Sequence, residues 1–222
     1  MPRPALPASL RPLLRLPATI WFLLLLCTLP ELILQGADHG LWGDPQWRSI
    51  AYGWGGFWPG LFRGWQPNYP GQRWGMFLTY GFVHAGLFHL ATNMVTLIAL
   101  ARPIVARVGQ WRFGALYLLS QIGGGVGYAL LASGTQPMVG ASGALFGLAG
   151  GWAAWEYLDR FFAKERLWPV LQFVALLIAL NLVLWWAMHG LLAWQTHLGG
   201  FIAGWIAAFL LDPLPRVADG GD

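Results

Sequence analysis

Charge is what this chain has least of. Asp, Glu, Lys and Arg make up 10% of its 222 residues, against roughly 25% in soluble globular domains. Hydrophobic residues make up 57%, and the mean hydropathy is +0.53. This balance excludes a soluble domain and assigns the chain to a membrane. Cysteine is almost missing too. Cys27 stands alone inside an apolar segment, so neither an intrachain disulfide nor a cysteine-based metal site can form, and it reads as packing. Acidic residues are absent from five of the six apolar runs described below. With no repeated halves and no buried acid to carry ions or protons, a small transporter is disfavoured. The pI near 9.6 does not indicate nucleic acid, because the basic residues fall between apolar segments rather than along one face.

Aromatic and apolar residues fill the space that charge leaves. Fifteen Trp suit the boundary between headgroups and hydrocarbon, where indole rings accumulate. Six apolar runs, 18–35, 78–101, 113–131, 138–155, 168–188 and 194–211, each have the roughly 17 to 25 residues a helix needs to cross about 30 Å. The first run is read as a span rather than the core of a signal peptide, because no convincing small-residue cleavage site follows it. Lys and Arg set the orientation. Ten lie in the tail 1–16 (Arg3, Arg11, Arg15), the turns 102–112 and 156–167, and the C-terminus (Arg216), while Arg48, Arg63 and Arg73 lie opposite. The expected organisation is therefore an all-α membrane protein of six transmembrane helices with both termini cytoplasmic. A basic tail covers 1–16, the six-helix core 17–212, and a short cytoplasmic tail 213–222. Residues 36–77 are rich in Gly, Trp and Pro without helical period. They are expected as an irregular interfacial outer loop, the alternative being a small ectodomain of no catalytic importance.

This topology assigns a depth to each polar residue. Ser142 lies 14 residues before Glu156, His197 15 before Asp212, and His89 13 before Arg102. At 1.5 Å per residue, all three sit roughly 20 to 22 Å above the cytoplasmic ends. Asn93 is one turn deeper on the face of His89. Polar groups in hydrocarbon usually face a bundle interior or a water-filled cavity, so a shared depth suggests a shared cavity. Ser142 sits in Gly140-Ala141-Ser142-Gly143, and a serine hydroxyl becomes nucleophilic when a neutral imidazole takes its proton. His197 is the candidate base. Attack on an amide creates an oxyanion that needs preorganised donors; the Ser142 N–H, the Asn93 amide and the His89 ring could supply them. With no acid in spans two to six, a Ser-His dyad is expected. Gly143 and Gly147, like Gly200 and Gly204, have GxxxG spacing that favours close helix packing.

These residues carry a resemblance. The chain resembles the rhomboid family of intramembrane serine proteases in Gly140-Ala141-Ser142-Gly143, in His84-x4-His89-x3-Asn93, in Thr196-His197-Leu198-Gly199-Gly200-x3-Gly204, and in Trp74 and Phe77-Leu78-Thr79-Tyr80. It covers about residues 70–210. The resemblance implies a six-helix rhomboid core with Ser142 and His197 as the catalytic dyad and His89 and Asn93 at oxyanion positions, with Gly140 and Gly143 shaping the site. Phe146 departs from the Tyr that many bacterial members carry, so a hydroxyl is lost although the ring can still stack on His197. His84, about 140° from His89 on an ideal helix, is implied as a supporting residue that holds the outer loop, with direct catalysis as the alternative. A metal site of His84, His89 and His197 is disfavoured because no carboxylate or thiolate completes the shell, and neither metal nor cofactor is expected. His39 and His189 read as interfacial, and Asn181 as a helix-to-helix hydrogen bond.

The resulting expectation is a serine endopeptidase acting on transmembrane protein substrates in the lipid bilayer, with no nucleic-acid partner. A catalytically silent, membrane-protein-binding pseudoenzyme is the alternative. An α/β-hydrolase elbow fails, since its pattern would require glycine at Ala144. The compact chain, without a transit-like segment rich in Arg and Ser, suggests a bacterial inner membrane.

Overall fold

Backbone amides in hydrocarbon have no water to bond, so a spanning segment must satisfy its own hydrogen bonds, as a helix does. The computed structural model, which describes residues 16–212, is built accordingly. Its helices are α1 (Ala18–Asp38), α2 (Trp47–Gly55), α3 (Gln72–Thr79), α4 (Leu87–Leu131), α5 (Ser142–Phe162), α6 (Trp168–Ala187) and α7 (Trp194–Leu211). There is no strand among the described residues. The tail arginines Arg3, Arg11 and Arg15, and the 213–222 tail with Arg216, lie outside them. Three helices, α1, α4 and α6, are long and apolar enough to cross a membrane by length and composition. Glycine, Gln195, Thr196 and His197 dilute the hydropathy of α7. Glycine, Trp152, Trp155, Tyr157 and the charges from Glu156 onward do the same for α5.

Two sequence expectations need correction here. Residues 36–77 are not irregular throughout. They contain α2, a 3-10 turn at Pro59–Phe62 and the start of α3, short elements that a long-period search does not register. Arg48 fastens this region to α1. Its Nη1 and Nη2 donate to Glu31 at 3.0 and 2.8 Å, and its Nε donates to Asp38 at 2.6 Å. Phe57, Leu61 and Met76 bury themselves with Tyr80, Tyr128 and Met138 in a small core of their own.

The second correction concerns the expected span 78–101. Its helix begins only at Leu87, after a 3-10 turn at Tyr80–Phe82 and an extended residue, Val83, with Gly86 at φ 102°. That positive φ cannot continue a right-handed helix. The element α4 is in fact two helices joined at Gly109, whose φ of 81° and ψ of 170° are not helical, so the break falls inside the expected 102–112 turn but is confined to that residue.

Helix α7 packs closely on both α4 and α5, whereas α6 touches α5 over a much smaller contact. Close approach between α5 and α7 follows from their glycines. A Cβ on Gly200 would strike the Gly143 carbonyl oxygen, and one on Gly204 the Gly147 carbonyl oxygen. At the far end, Arg107 joins three helices through Asp159 at 2.6 Å and Asp212 at 3.0 Å while lying 5.2 Å from the Trp155 ring centre.

Candidate active site

Ser142 is the first residue of α5, and His197 lies in the first turn of α7. The glycine contacts between these helices bring the two side chains together. Ser142 Oγ lies 2.8 Å from His197 Nε2. His197 is buried and Ser142 half-buried, so one side of the hydroxyl remains approachable.

The chain leading into Ser142 is pinned on both sides. Phe57 and Met138 exchange backbone hydrogen bonds of 2.8 and 3.0 Å, and the Gly140 N–H donates to the Tyr80 carbonyl at 2.9 Å. Gly140 itself has φ 116°, in the region that favours glycine. It is also pressed against α4. A Cβ there would come within 2.5 Å of His89 Cε1, 2.8 Å of His89 Nε2 and 3.7 Å of Asn93 Nδ2. His89 and Asn93 therefore converge two residues before Ser142.

Their hydrogen bonds orient them. His89 Nδ1 accepts from the Ala85 N–H at 3.3 Å, so the ring proton sits on Nε2, the atom facing Gly140. Asn93 Nδ2 donates one hydrogen to the His89 carbonyl at 3.0 Å and keeps a second.

His84 lies in the non-helical lead to α4, so the helical separation from His89 does not apply. Their ring centroids are 5.3 Å apart in a T-shaped contact. The outer loop reaches His84 through its backbone, where the carbonyl accepts from Arg48 Nη1 at 2.9 Å and from the Tyr52 hydroxyl at 3.3 Å.

Phe146, one turn after Ser142, stacks on His197 with centroids 4.1 Å apart and planes inclined by 7°. On the ring's other side of function, Asn181 Oδ1 on α6 lies 2.6 Å from His197 Nδ1. This makes a helix-to-helix hydrogen bond, and it also places Asn181 beside the pair, a position that sequence reasoning missed. The available signal was one of two amides, with Gln172, in an otherwise apolar run. A cavity of about 520 Å³ opens here between α6 and α7, lined by Phe146, Leu177, Asn181, Trp185, Trp194 and His197. His39 caps the C-terminal end of α1, and His189 follows the Met188 cap of α6 with φ 51°. Among the described residues, no three His, Cys, Asp or Glu side chains gather in a way that could hold a metal ion.

Known proteins share this chain's core. The family model of the rhomboid domain matches residues 70–213, more than half of the chain. RHOMBOID-like protein 5 of Arabidopsis thaliana is 34% identical over 142 residues, covering 64% of this chain and 45% of that protein. Rhomboid protease GluP of Bacillus subtilis is 31% identical over 144 residues, covering 65% of this chain and 27% of its own length. Inactive rhomboid protein 2 of Homo sapiens is 29% identical over 152 residues, covering 66% and 17%. The chain thus spans less than half the length of each of these relatives. Taken with its apolar helices, the match over 70–213 means that this chain belongs to the rhomboid family and is an integral membrane protein.

Proposed function

We propose that the protein is an intramembrane serine endopeptidase that cuts peptide bonds in or beside the transmembrane helices of other membrane proteins, with Ser142 as nucleophile and His197 as general base. The observation that carries this reading is the 2.8 Å separation of Ser142 Oγ and His197 Nε2, within the range for proton transfer between a nucleophile and its base. In the acylation step His197 Nε2 takes the Ser142 proton as Oγ attacks the scissile carbonyl, then returns it to the leaving amine. Water, deprotonated by the same nitrogen, releases the acyl group. The oxyanion formed in each half is met by the Ser142 N–H, the remaining Asn93 N–H and the His89 Nε2–H. These donors are held in advance by α4 and Gly140, the arrangement that favours charge developing in the transition state. Phe146 holds the imidazole plane from one side.

Substrate amides inside a regular helix are occupied by their own hydrogen bonds, so the favoured substrates carry small or helix-breaking residues (Gly, Ala, Ser or Pro) near the outer membrane face, with Gly and Pro lowering the cost of local unwinding. In this reading α1, the two halves of α4, α5, α6 and α7 form six spans within a core of residues 17–212. Both termini are cytoplasmic, and 36–77 lies at the outer surface. The relatives come from a plant, a bacterium and a human, so kinship does not select the bacterial inner membrane that the sequence suggested.

The test is purified protein in liposomes with a single-span reporter bearing small residues near its outer end, beside Ser142→Ala and His197→Ala. Cleavage by the wild type alone, with fluorophosphonate labelling of Ser142 lost in both variants, is the expected result. Equal cleavage by all three would sink the assignment. Reporter binding without cleavage by the wild type would favour the pseudoenzyme reading, which the relative named as inactive keeps in view.

A further inference from the structure

We infer that Asn181 is a positioning residue: its carboxamide holds His197 in the tautomer whose Nε2 lone pair faces Ser142. The inference rests on the protease reading above and adds a third residue to it, contributed by a different helix.

The hydrogen-bond directions leave one consistent arrangement. Asn181 Nδ2 donates to the Leu177 carbonyl at 3.1 Å, and only the NH2 end of an amide can donate. The other end, Oδ1, therefore faces His197 Nδ1 at 2.6 Å, and an oxygen acceptor requires the proton on Nδ1. A neutral imidazole carries one proton, so Nε2 is left bare. That is the nitrogen 2.8 Å from Ser142 Oγ, and the Ser142 hydroxyl can donate to it.

With the opposite tautomer, Nε2–H would point at the serine and Nδ1 would meet Oδ1 lone pair to lone pair. The nucleophile would then have no base. Burial sharpens the preference, since a buried ring nitrogen without a partner loses its full solvation.

The surroundings explain why the amide acts alone. No carboxylate lies in α4 before Asp159's partner Arg107, nor anywhere in α6 or α7, so a neutral acceptor supplies orientation without placing a charge in hydrocarbon. Phe146 fixes the plane of the ring by stacking but has no atom that distinguishes Nδ1 from Nε2. Asn181 is the contact that does. It reaches across the cavity from α6, the helix with the smallest contact to the bundle, so the third member of the group sits on the element least committed to the core.

The experiment compares full-length wild type with Asn181→Leu and Asn181→Asp in liposomes. Leucine keeps the volume and suits a membrane helix, and aspartate keeps an acceptor oxygen. Partners that orient metal-ligating histidines typically change activity by about 10- to 100-fold, and Asn181 orients His197 in the same manner. Asn181→Leu is expected to lower kcat by that factor with KM within about 2-fold, and Asn181→Asp to recover most of the loss.

Nitrogen-15 NMR of His197, run on the same samples, reads the tautomer independently of activity. It should show an Nδ1–H ring in wild type and Asn181→Asp, and a mixture of tautomers in Asn181→Leu. Unchanged kcat and an unchanged ring spectrum in Asn181→Leu would overturn the inference. If the wild type cleaves nothing, the protease reading fails, while the spectrum still decides whether Asn181 sets the tautomer.

Discussion

Two of the three residues proposed to meet the oxyanion lie on α4. His89 is turned by a bond from Ala85 in the segment just before the helix, and Asn93 by a bond to the His89 carbonyl. Both then face Gly140, whose missing side chain leaves the space they occupy. Losing one oxyanion donor typically costs about 100- to 1000-fold in kcat. Asn93→Ala is therefore expected to lower kcat by roughly that factor while KM changes little, read by steady-state cleavage of the reporter. Ser142 and His197 were legible in the sequence because each stands in a local motif at a computable depth. Asn181 was not. Its partner lies 16 residues away on another helix, and nothing in the run 168–188 says which way one amide points.

Helix α5 meets α7 through glycine against backbone carbonyl, a contact with no slack for a methyl group. Overpacking a well-fitted core costs about 1 to 3 kcal/mol, so Gly204→Ala should lower the unfolding midpoint measured in detergent. Ile206→Ala, on an exposed position of the same helix, should leave that midpoint near the wild-type value. The outer loop depends on a different contact. Glu31 has no exposed surface, and Arg48 reaches it with two nitrogens while its third donor holds Asp38. Removing one partner of a buried pair costs about 3 to 5 kcal/mol. Arg48→Met is expected to fall near the lower figure because Gln35 still donates to Glu31 at 2.8 Å. Limited proteolysis should then cut within 40–56 faster than in the wild type. The sequence pattern suggested an aromatic loop over this region. It did not register α2, because nine residues are too few to establish a 3.6-residue period.

Across the whole molecule, the polar groups are divided between two ends. The Ser142–His197 pair lies at the N-terminal ends of α5 and α7, and the Arg107 cluster ties α4, α5 and α7 together at the other. Asp159, beyond the last apolar residues of the expected span, is held below the ordinary carboxylate range chiefly by its hydrogen bond to Arg107. A carboxyl whose pKa is lower in the folded state stabilises the fold above the unfolded value, near 3.9, and that contribution disappears as pH falls through the lower folded value. The unfolding midpoint should thus hold steady from pH 7 to 5 and fall below about pH 4, with a smaller fall in Arg107→Ala. Because Asp159 is largely exposed, the effect is small and shrinks further in high salt.

The sequence by itself determined the solvent of this protein, its helical character, its family likeness and the choice of serine and histidine. Those features reside in composition, in runs of about twenty residues and in short motifs, all of them local. Only the tertiary structure decided that the segment before Leu87 leaves the helix, so that His84 and His89 touch, and that the two halves of α4 are separated at Gly109 alone rather than by a longer turn. It also decided that Asn181 meets His197. Each depends on backbone angles and on contacts between distant helices, where packing geometry rather than residue type selects the outcome.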